Sequence, residues 1–256
     1  AMEDHDASLV LLVENYQNTD FSQLAQDYAE ANPQSVMETP QVSVGIYGSG
    51  SARVAEFTFI YQNSRENLRQ MKGQVAPVFA SAALYVSGGA SDSQKFSQLY
   101  AFLMERFDYK LETSITPAYS LLRHGVGDSR AFAITYSAMC RQAGMECLTV
   151  AGTREGVPWN WNIIRIGGYY RHVDLQRCSE AGYFFTMTDR EAEDYVWDYS
   201  AYPKCPERIQ PAEKEDPEET EPTVPQETEP QETKPEETKP EETKPTETKP
   251  AETKPT

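Results

Sequence analysis

The apolar positions of residues 94–109 recur at helical spacing. Residues 94–109 carry one apolar stripe, which consists of Phe96, Leu99, Tyr100, Leu103, Met104 and Phe107. Such a stripe predicts a helix that packs into a core. A second predicted helix begins at Asp128 and Ser129, because Asp and Ser cap helix N-termini, and it ends at Gly144, which suits a left-handed turn.

Three short segments that are typical of strands follow the second helix, at residues 146–152, 159–165 and 169–175. Gly167 and Gly168 are expected to form the tight turn between the last two strands. Together these elements predict a mixed α+β core.

The first 93 residues are predicted to form a smaller α+β portion that packs on this core. Residues 7–31 are interpreted as two helical pieces, because they include an apolar run and a stretch with helical spacing. Alternating apolar and polar residues at 41–47 and 53–61 predict a hairpin with a Gly/Ser loop. Residues 65–85 predict another helix, which we expect to be interrupted near a glycine and a proline.

Three spaced motifs lie within the predicted core. They are GDSRAFA at residues 127–133, WNWN at 159–162 and YRHVD at 170–174. In this order they resemble the motifs G-V-C-x-G-Y-A, H-A-W-N and w-x-H-V-D of the transglutaminase-like superfamily, whose papain-related fold packs a helix on an antiparallel sheet. The resemblance covers residues 94–205, since the segment 183–205 is similar to the family's closing short helix and Trp-Asp-x-x-x-Tyr-Pro-x-Cys turn.

The resemblance implies which residues occupy the catalytic positions. Active members place a Cys nucleophile at the helix start, a His on the second strand and an orienting Asp on the third, and this chain has Ser129, Trp159 and Asp174 there. A serine hydroxyl is a poor nucleophile without a positioned base, and indole has no basic nitrogen. The resemblance therefore implies a catalytically inactive member, a pseudoenzyme, with a binding or structural function.

Two active alternatives remain open. In the first, a hydrolase or acyl transferase of the peptidase or amidase type uses Ser129 with Asp174 and takes His172 as its base, because His172 lies two residues before Asp174 on the predicted strand. In the second, the alignment of the first motif to the family is wrong, and Cys140 is the nucleophile of a cysteine protease. Its position in the middle of an apolar helix opposes this alternative.

Further side chains are predicted to line the cleft around the catalytic positions, namely Asp128, Arg130, Asn160, Trp161, Asn162, Tyr169 and Tyr170. Aromatic residues in a groove suit a peptide, a protein or a cell-wall glycan as partner. The alternative interpretation is that Trp159 fills the cavity left by the lost catalytic pair.

No cofactor and no metal are predicted, since the chain has no Walker loop, no dinucleotide-binding glycine pattern and no Cys/His zinc spacing. Cys140 and Cys147 are expected to be buried free thiols. Cys178 and Cys205 lie in segments predicted to be non-helical, and a disulfide between them is possible in an oxidising compartment.

The composition changes at residue 206, and residues 232–256 repeat a pentad of the type ETKPE. Residues 211–256 contain 15 acidic residues against 6 lysines, so nine of the chain's 17 net negative charges lie there. So few apolar residues cannot offset the entropy of ordering, and residues 206–256 are predicted to be a disordered Pro/Glu/Thr/Lys-rich stalk. The acidic balance of the remainder also opposes nucleic-acid binding.

No apolar run reaches the ~18 residues that a membrane span needs. The resembling family is mostly extracytoplasmic, and a stalk suits display away from a membrane or through a cell wall. We therefore expect a bacterial-type extracellular or cell-surface protein whose signal or anchor lies outside the given sequence.

Overall fold

A three-stranded sheet and one helix form the N-terminal part of the protein, in a computed structural model that describes residues 1–17 and 19–207. In chain order the elements are β1 (Ser8–Val13), α1 (Phe21–Ala31), β2 (Gln41–Tyr47) and β3 (Arg53–Ile60). Strand β3 pairs with β2 as the predicted hairpin and also with β1, and all pairs are antiparallel. Phe57 and Phe59 of β3 pack with Ala25 and Ala29 of α1 in a small core.

Strand β1 corrects the helical interpretation of residues 7–13. The run SLVLLV pairs with β3 over its whole length, from Ser8 opposite Thr58 to Val13 opposite Arg53. A short apolar run does not reveal by periodicity whether it forms a helix or a strand. Here the free edge of the hairpin supplies hydrogen-bond partners for β1, and this tertiary pairing decides the outcome.

Helix α2 (Arg65–Tyr85) runs without a break through Gly73 and Pro77, so the predicted interruption is wrong. A proline in a helix removes one backbone donor and strains the preceding turn. Burial of Leu68, Val75 and other apolar side chains of α2 in the main core opposes that cost.

Helix α3 (Asp92–Met104) is closed at its start by a capping box between Ser91 and Gln94. It ends five residues before the predicted limit at 109, because Asp108–Tyr109 forms strand β4 instead. After helix α4 (Pro117–His124), strand β5 (Val126–Gly127) pairs with β4 in parallel. This pairing brings Tyr109 next to the start of the central helix.

The central helix and a four-stranded antiparallel sheet confirm the predicted α+β core. The remaining elements are α5 (Ser129–Gln142), β6 (Cys147–Arg154), β7 (Val157–Ile166), β8 (Tyr169–Val173), α6 (Leu175–Ala181) and β9 (Tyr195–Trp197). The strand order is β8-β7-β6-β9. Gly167 and Gly168 both have positive φ, as their tight turn requires.

Both faces of this sheet are buried. On one face, α5 packs with α2 and α3 into the main core, and Ile164 and Val173 point into it. On the other face, a second core contains Trp161, Ile163 and Trp197. Residues 183–205 cover this second core as strand β9 and turns, in place of the short helix predicted there.

The predicted stalk lies outside the described residues from position 208 onward. Among the residues that the structure describes, no helix combines the length and the apolar character needed to cross a membrane.

Candidate functional site

Ser129 is the first residue of α5, as predicted, but the cap of this helix is Asp128. The Asp128 carboxylate accepts a hydrogen bond from the backbone N–H of Ala131 at 2.9 Å. The Ser129 Oγ instead accepts the backbone N–H of Asn160 on β7 at 3.2 Å. Ser129 therefore joins the helix N-terminus to the strand that carries Trp159.

Trp159 is half-buried and uses its only polar atom on Asp174. Its indole Nε1–H donates to Asp174 Oδ2 at 2.9 Å. One neighbour of the indole ring is Tyr109, with ring centroids 5.5 Å apart, and another is the Arg154 guanidinium, 5.4 Å from the ring centre. The ring is thus held by an aromatic contact, a cation–π contact and a hydrogen bond.

The Asp174 carboxylate is 2% exposed and has donors on both oxygens. Oδ1 caps helix α6 by accepting the backbone N–H groups of Gln176 and Arg177 at 2.9 and 3.2 Å. Besides Trp159, Oδ2 accepts the Tyr195 hydroxyl at 2.7 Å and lies 3.3 Å from an Arg154 nitrogen. Burial, and then the charge of Asp174, raise the pKa of the Tyr195 hydroxyl. Through these hydrogen bonds Asp174 connects α6 to the side chains that surround the site.

The cavity between these groups has a volume of only about 10 Å³. Its walls come from Tyr109, Ser129, Phe132, Ala133, Asn160, Trp161, Asn162, Asp174, Leu175 and Gln176. A space of this size holds about one water molecule. It is smaller than the side chain of a peptide or a sugar ring.

The predicted cleft-lining residues are only partly brought together. Asn160, Trp161 and Asn162 line the cavity, and the Asn162 side-chain amide donates to the Ala133 carbonyl of α5 at 2.9 Å. The other predicted residues serve elsewhere. Asp128 caps α5, and Arg130 pairs with Glu30 of α1 at 2.7 Å. The Tyr170 hydroxyl donates to the exposed Glu146 at 2.5 Å. Tyr169 borders a different groove.

Tyr109 and Tyr195 are functional neighbours that the sequence motifs miss. The sequence predicts Tyr109 at the end of the helix over residues 94–109, and Tyr195 lies in the closing segment 183–205. Neither residue belongs to one of the three motifs. They reach the site through strand pairings, β4 with β5 and β9 with β6. Such pairings over long sequence distances leave no local signal.

The alternative base His172 is placed in another network. Strand β8 ends at Val173, and Asp174 caps α6 instead of continuing the strand. The alternation of side chains along a strand therefore does not direct Asp174 to the same face as His172. The His172 Nδ1 accepts the indole N–H of Trp161 at 2.9 Å, and Nε2 lies 2.9 Å from an Asp189 oxygen. The triad of Ser129, His172 and Asp174 is not assembled in the structure.

These contacts also determine the tautomer of His172. Because Nδ1 accepts a hydrogen bond, the proton of the neutral ring resides on Nε2 and points to Asp189. His172, Asp189 and Cys205 place potential ligand atoms within 4.8 Å of one another. The protonated Nε2 has no lone pair for a metal, so the geometry fits a hydrogen-bonded cluster better than a metal site.

The four cysteines are free and buried. Cys178 lies in the main core and Cys205 in the second core, so the structure does not form the suggested bridge between them. Burial raises the pKa of each of these two thiols to about 12. Cys140 is fully buried inside α5, and burial holds its pKa well above the ordinary value, which is the opposite of what a nucleophile needs.

Comparison with known proteins agrees with this architecture. Residues 80–187 match the family model described as the transglutaminase-like superfamily. This part of the chain is a transglutaminase-like domain. A comparison with curated proteins found no match.

Three solved structures are similar to the transglutaminase-like domain at low identity. A TGase is 9% identical, covers 66% of this chain and 50% of its own, and has a TM-score of 0.36. A candidate protease from Parabacteroides distasonis is 9% identical over 57% of this chain and 40% of its own, with a TM-score of 0.32. A candidate cysteine protease from Cytophaga hutchinsonii is 12% identical over 73% and 71%, with a TM-score of 0.37. This chain thus spans half or less of the first two proteins, and the family assignment rests on the family model.

Proposed function

We propose that this transglutaminase-like domain is a catalytically inactive, extracellular or cell-surface module with a binding or structural function, carried on the Pro-rich stalk. The observation that carries the proposal is the hydrogen bond from Trp159 Nε1–H to Asp174 Oδ2 at 2.9 Å. An indole nitrogen can donate a hydrogen bond but cannot take up a proton.

The family's chemistry needs a base that removes the proton of the nucleophile and later returns it. At Ser129, the Oγ accepts the N–H of Asn160. Trp159 occupies the position of the base and directs its polar atom to Asp174. The reaction therefore lacks a proton acceptor at the place where the fold would provide one.

The small cavity supports the same proposal. Acyl transfer requires room for a substrate carbonyl beside the nucleophile, whereas the space beside Ser129 is about 10 Å³. Trp159 packs against Tyr109, which forms one wall of this cavity. So small a space favours the interpretation that Trp159 fills the site. It opposes the interpretation that the site is an aromatic cleft for a peptide or a glycan.

Extracellular display is proposed from the sequence, because the acidic, proline-containing pentads suit an extended spacer. Fractionation of cells that produce the natural full-length protein tests this part. Recovery of the domain solely from the cytoplasm would contradict it.

Inactivity is tested by incubating the full chain with a fluorophosphonate probe, which labels activated serines, and with amine-donor and peptide substrates. The expected result is no labelling and no turnover above that of the Ser129→Ala variant. Labelling at Ser129 that disappears in both Ser129→Ala and His172→Ala would overturn the proposal in favour of the serine hydrolase or acyl transferase.

A further inference from the structure

Arg171 is a buried cation on β8 with little to neutralise it. The residue is 7% exposed. Its guanidinium donates to the Tyr170 carbonyl at 2.7 Å and lies 5.7 Å from the centre of the Tyr169 ring. Arginine carries five N–H donors and remains charged at all ordinary pH values. Most of its capacity for hydrogen bonding is therefore unused.

The acidic groups of this region are engaged with other partners. Asp189 binds His172 and the backbone N–H of Cys205. Glu207 pairs with Arg190 at 2.9 Å. Glu191 accepts hydrogen bonds from Thr188. Within residues 1–17 and 19–207, no carboxylate forms an ion pair with Arg171.

None of the Arg171 nitrogen atoms is a buried atom without a hydrogen-bond partner, and the residue lines two grooves, so its N–H groups that bind no protein group face solvent. An anion that reaches the guanidinium would form charge-assisted hydrogen bonds with these N–H groups. A guanidinium without an ionic partner is thus available to an anionic ligand that can enter.

Two grooves provide the entry, and they meet at Arg171 and Thr186. The first has a volume of about 490 Å³, and the second of about 550 Å³. Both volumes lie in the range of small-ligand pockets, which is roughly 300–1,000 Å³. The site that we call the Arg171 site comprises this junction and the two grooves.

The walls of the first groove indicate what kind of ligand would fit. Tyr169, Phe184 and Phe185 supply aromatic surface, and Ser93 and Thr186 supply hydroxyl groups. A single guanidinium suits one carboxylate, which it binds with two parallel hydrogen bonds. The aromatic walls suit an apolar group attached to that carboxylate.

We propose that the Arg171 site binds a carboxylate that is attached to an apolar or aromatic group, with the carboxylate on Arg171 and the apolar group in the first groove. The site lies apart from Ser129 and Asp174, since none of the residues that line it also lines the closed cavity. The proposal therefore holds or fails independently of the inactivity of the domain.

The test uses the full chain and two probes that differ only in charge, N-acetylphenylalanine and its amide. Titrations followed by NMR monitor the Arg171 side-chain Nε–H and the backbone amides of residues 184–186. The acid should bind at least about tenfold more tightly than the amide, because only the acid can form charge-assisted hydrogen bonds with the guanidinium. Equal binding of the two probes, or no response of these resonances, would overturn the proposal.

Two variants locate the site. Arg171→Gln should abolish the preference for the acid. Arg165→Gln removes an exposed arginine that lines neither groove, whose partner is Glu146, and should leave the preference intact. Equal losses in the two variants would contradict the assignment to Arg171. If Arg171→Gln does not fold, the comparison of acid and amide on the unmodified chain still decides the question.

Inorganic phosphate provides a third arm. The proposal expects phosphate to bind more weakly than N-acetylphenylalanine, because phosphate gains nothing from the aromatic walls. Phosphate binding of equal strength would show an unspecific anion site and would refute the proposed ligand class.

Discussion

The indole of Trp159 donates a hydrogen bond to the buried carboxylate of Asp174. The indole Nε1–H lies 2.9 Å from Asp174 Oδ2. In a catalytic triad, the Asp fixes the His by accepting such an N–H. A tryptophan at this position can therefore preserve the donor and satisfy the buried Asp174, while the basic nitrogen on the other side of the ring is lost.

Replacing Trp159 by phenylalanine should destabilise the protein. Trp159→Phe removes one donor from a carboxylate that is 2% exposed, and a lost hydrogen bond to a buried charged group costs about 1–3 kcal/mol. Urea unfolding of the variant measures this cost.

Two tyrosine variants serve as comparisons for Trp159→Phe. Tyr195→Phe removes another donor from the same oxygen and should have a similar effect. Tyr170→Phe, whose hydroxyl donates to the exposed Glu146, should cost less than either. A Trp159→Phe protein as stable as the unmodified one would refute the structural role of the bond.

Asp128 should contribute the capping energy of α5. Asp128→Ala removes the acceptor for the Ala131 N–H and should lower the free energy of unfolding by about 0.5–2 kcal/mol. Asp128→Asn keeps a capping oxygen and should remain within a few tenths of a kcal/mol of the unmodified protein. Chemical denaturation measures both variants, and equal losses would argue against a cap.

The double substitution Ser129→Cys with Trp159→His should create a reactive thiol. A histidine at position 159 would have Asp174 to orient it, and a thiol at position 129 would lie at the N-terminus of α5; both effects lower a thiol pKa. Iodoacetamide should therefore modify position 129 at least about tenfold faster at neutral pH than in the single Ser129→Cys variant.

The four native cysteines are buried and give little background in this comparison. Equal alkylation rates of the two variants would indicate that the site, packed around Trp159, does not accept a productive imidazole.

The native cysteines should be unreactive until the protein unfolds. All four are free and buried, and burial raises the pKa of Cys178 and of Cys205 to about 12. Mass spectrometry after alkylation under non-reducing conditions should show no adduct on the folded protein and four on the unfolded protein. Only two adducts after unfolding would restore the disulfide that the sequence left open.

His172 should make stability fall as the pH decreases below neutrality. Burial lowers the pKa of His172 below its usual 6.5, although the facing Asp189 raises it in part. Above 6.5 neither the folded nor the unfolded histidine is protonated, and this contribution to stability is complete. As the pH falls below that value, the unfolded state takes up the proton first, so the contribution is lost.

Urea unfolding between about pH 7 and pH 5, above the range in which most carboxylates titrate, measures this dependence. His172→Gln should reduce the slope of stability against pH. His5→Gln should reduce it as well, since burial also lowers the pKa of His5. An unchanged slope in His172→Gln would show that this histidine is not the neutral, buried group described above.

Local sequence patterns determined the central helix, the hairpin and the three strands of the core. The start of α5 at Ser129 follows from a capping residue, and the turn at Gly167 and Gly168 follows from glycines that tolerate positive φ. These features depend on neighbouring residues, and neighbours are what a sequence displays. The three motifs also identified the superfamily, since their order reflects the order of these elements.

Tertiary structure alone decided the strand β1, the partners of Trp159 and the position of His172. The run SLVLLV becomes a strand because the free edge of β3 accepts it. Asp174 accepts a hydrogen bond from Tyr195, and His172 accepts one from Trp161. Both bonds depend on the pairing of strands that bring together segments distant in sequence or on separate strands. A side chain's function depends on which donors and acceptors reach it, and the packing of the sheet determines these. The sequence alone therefore predicts that Ser129 and Trp159 stand at the catalytic positions of the resembled family, and the fold shows which contacts these two side chains form.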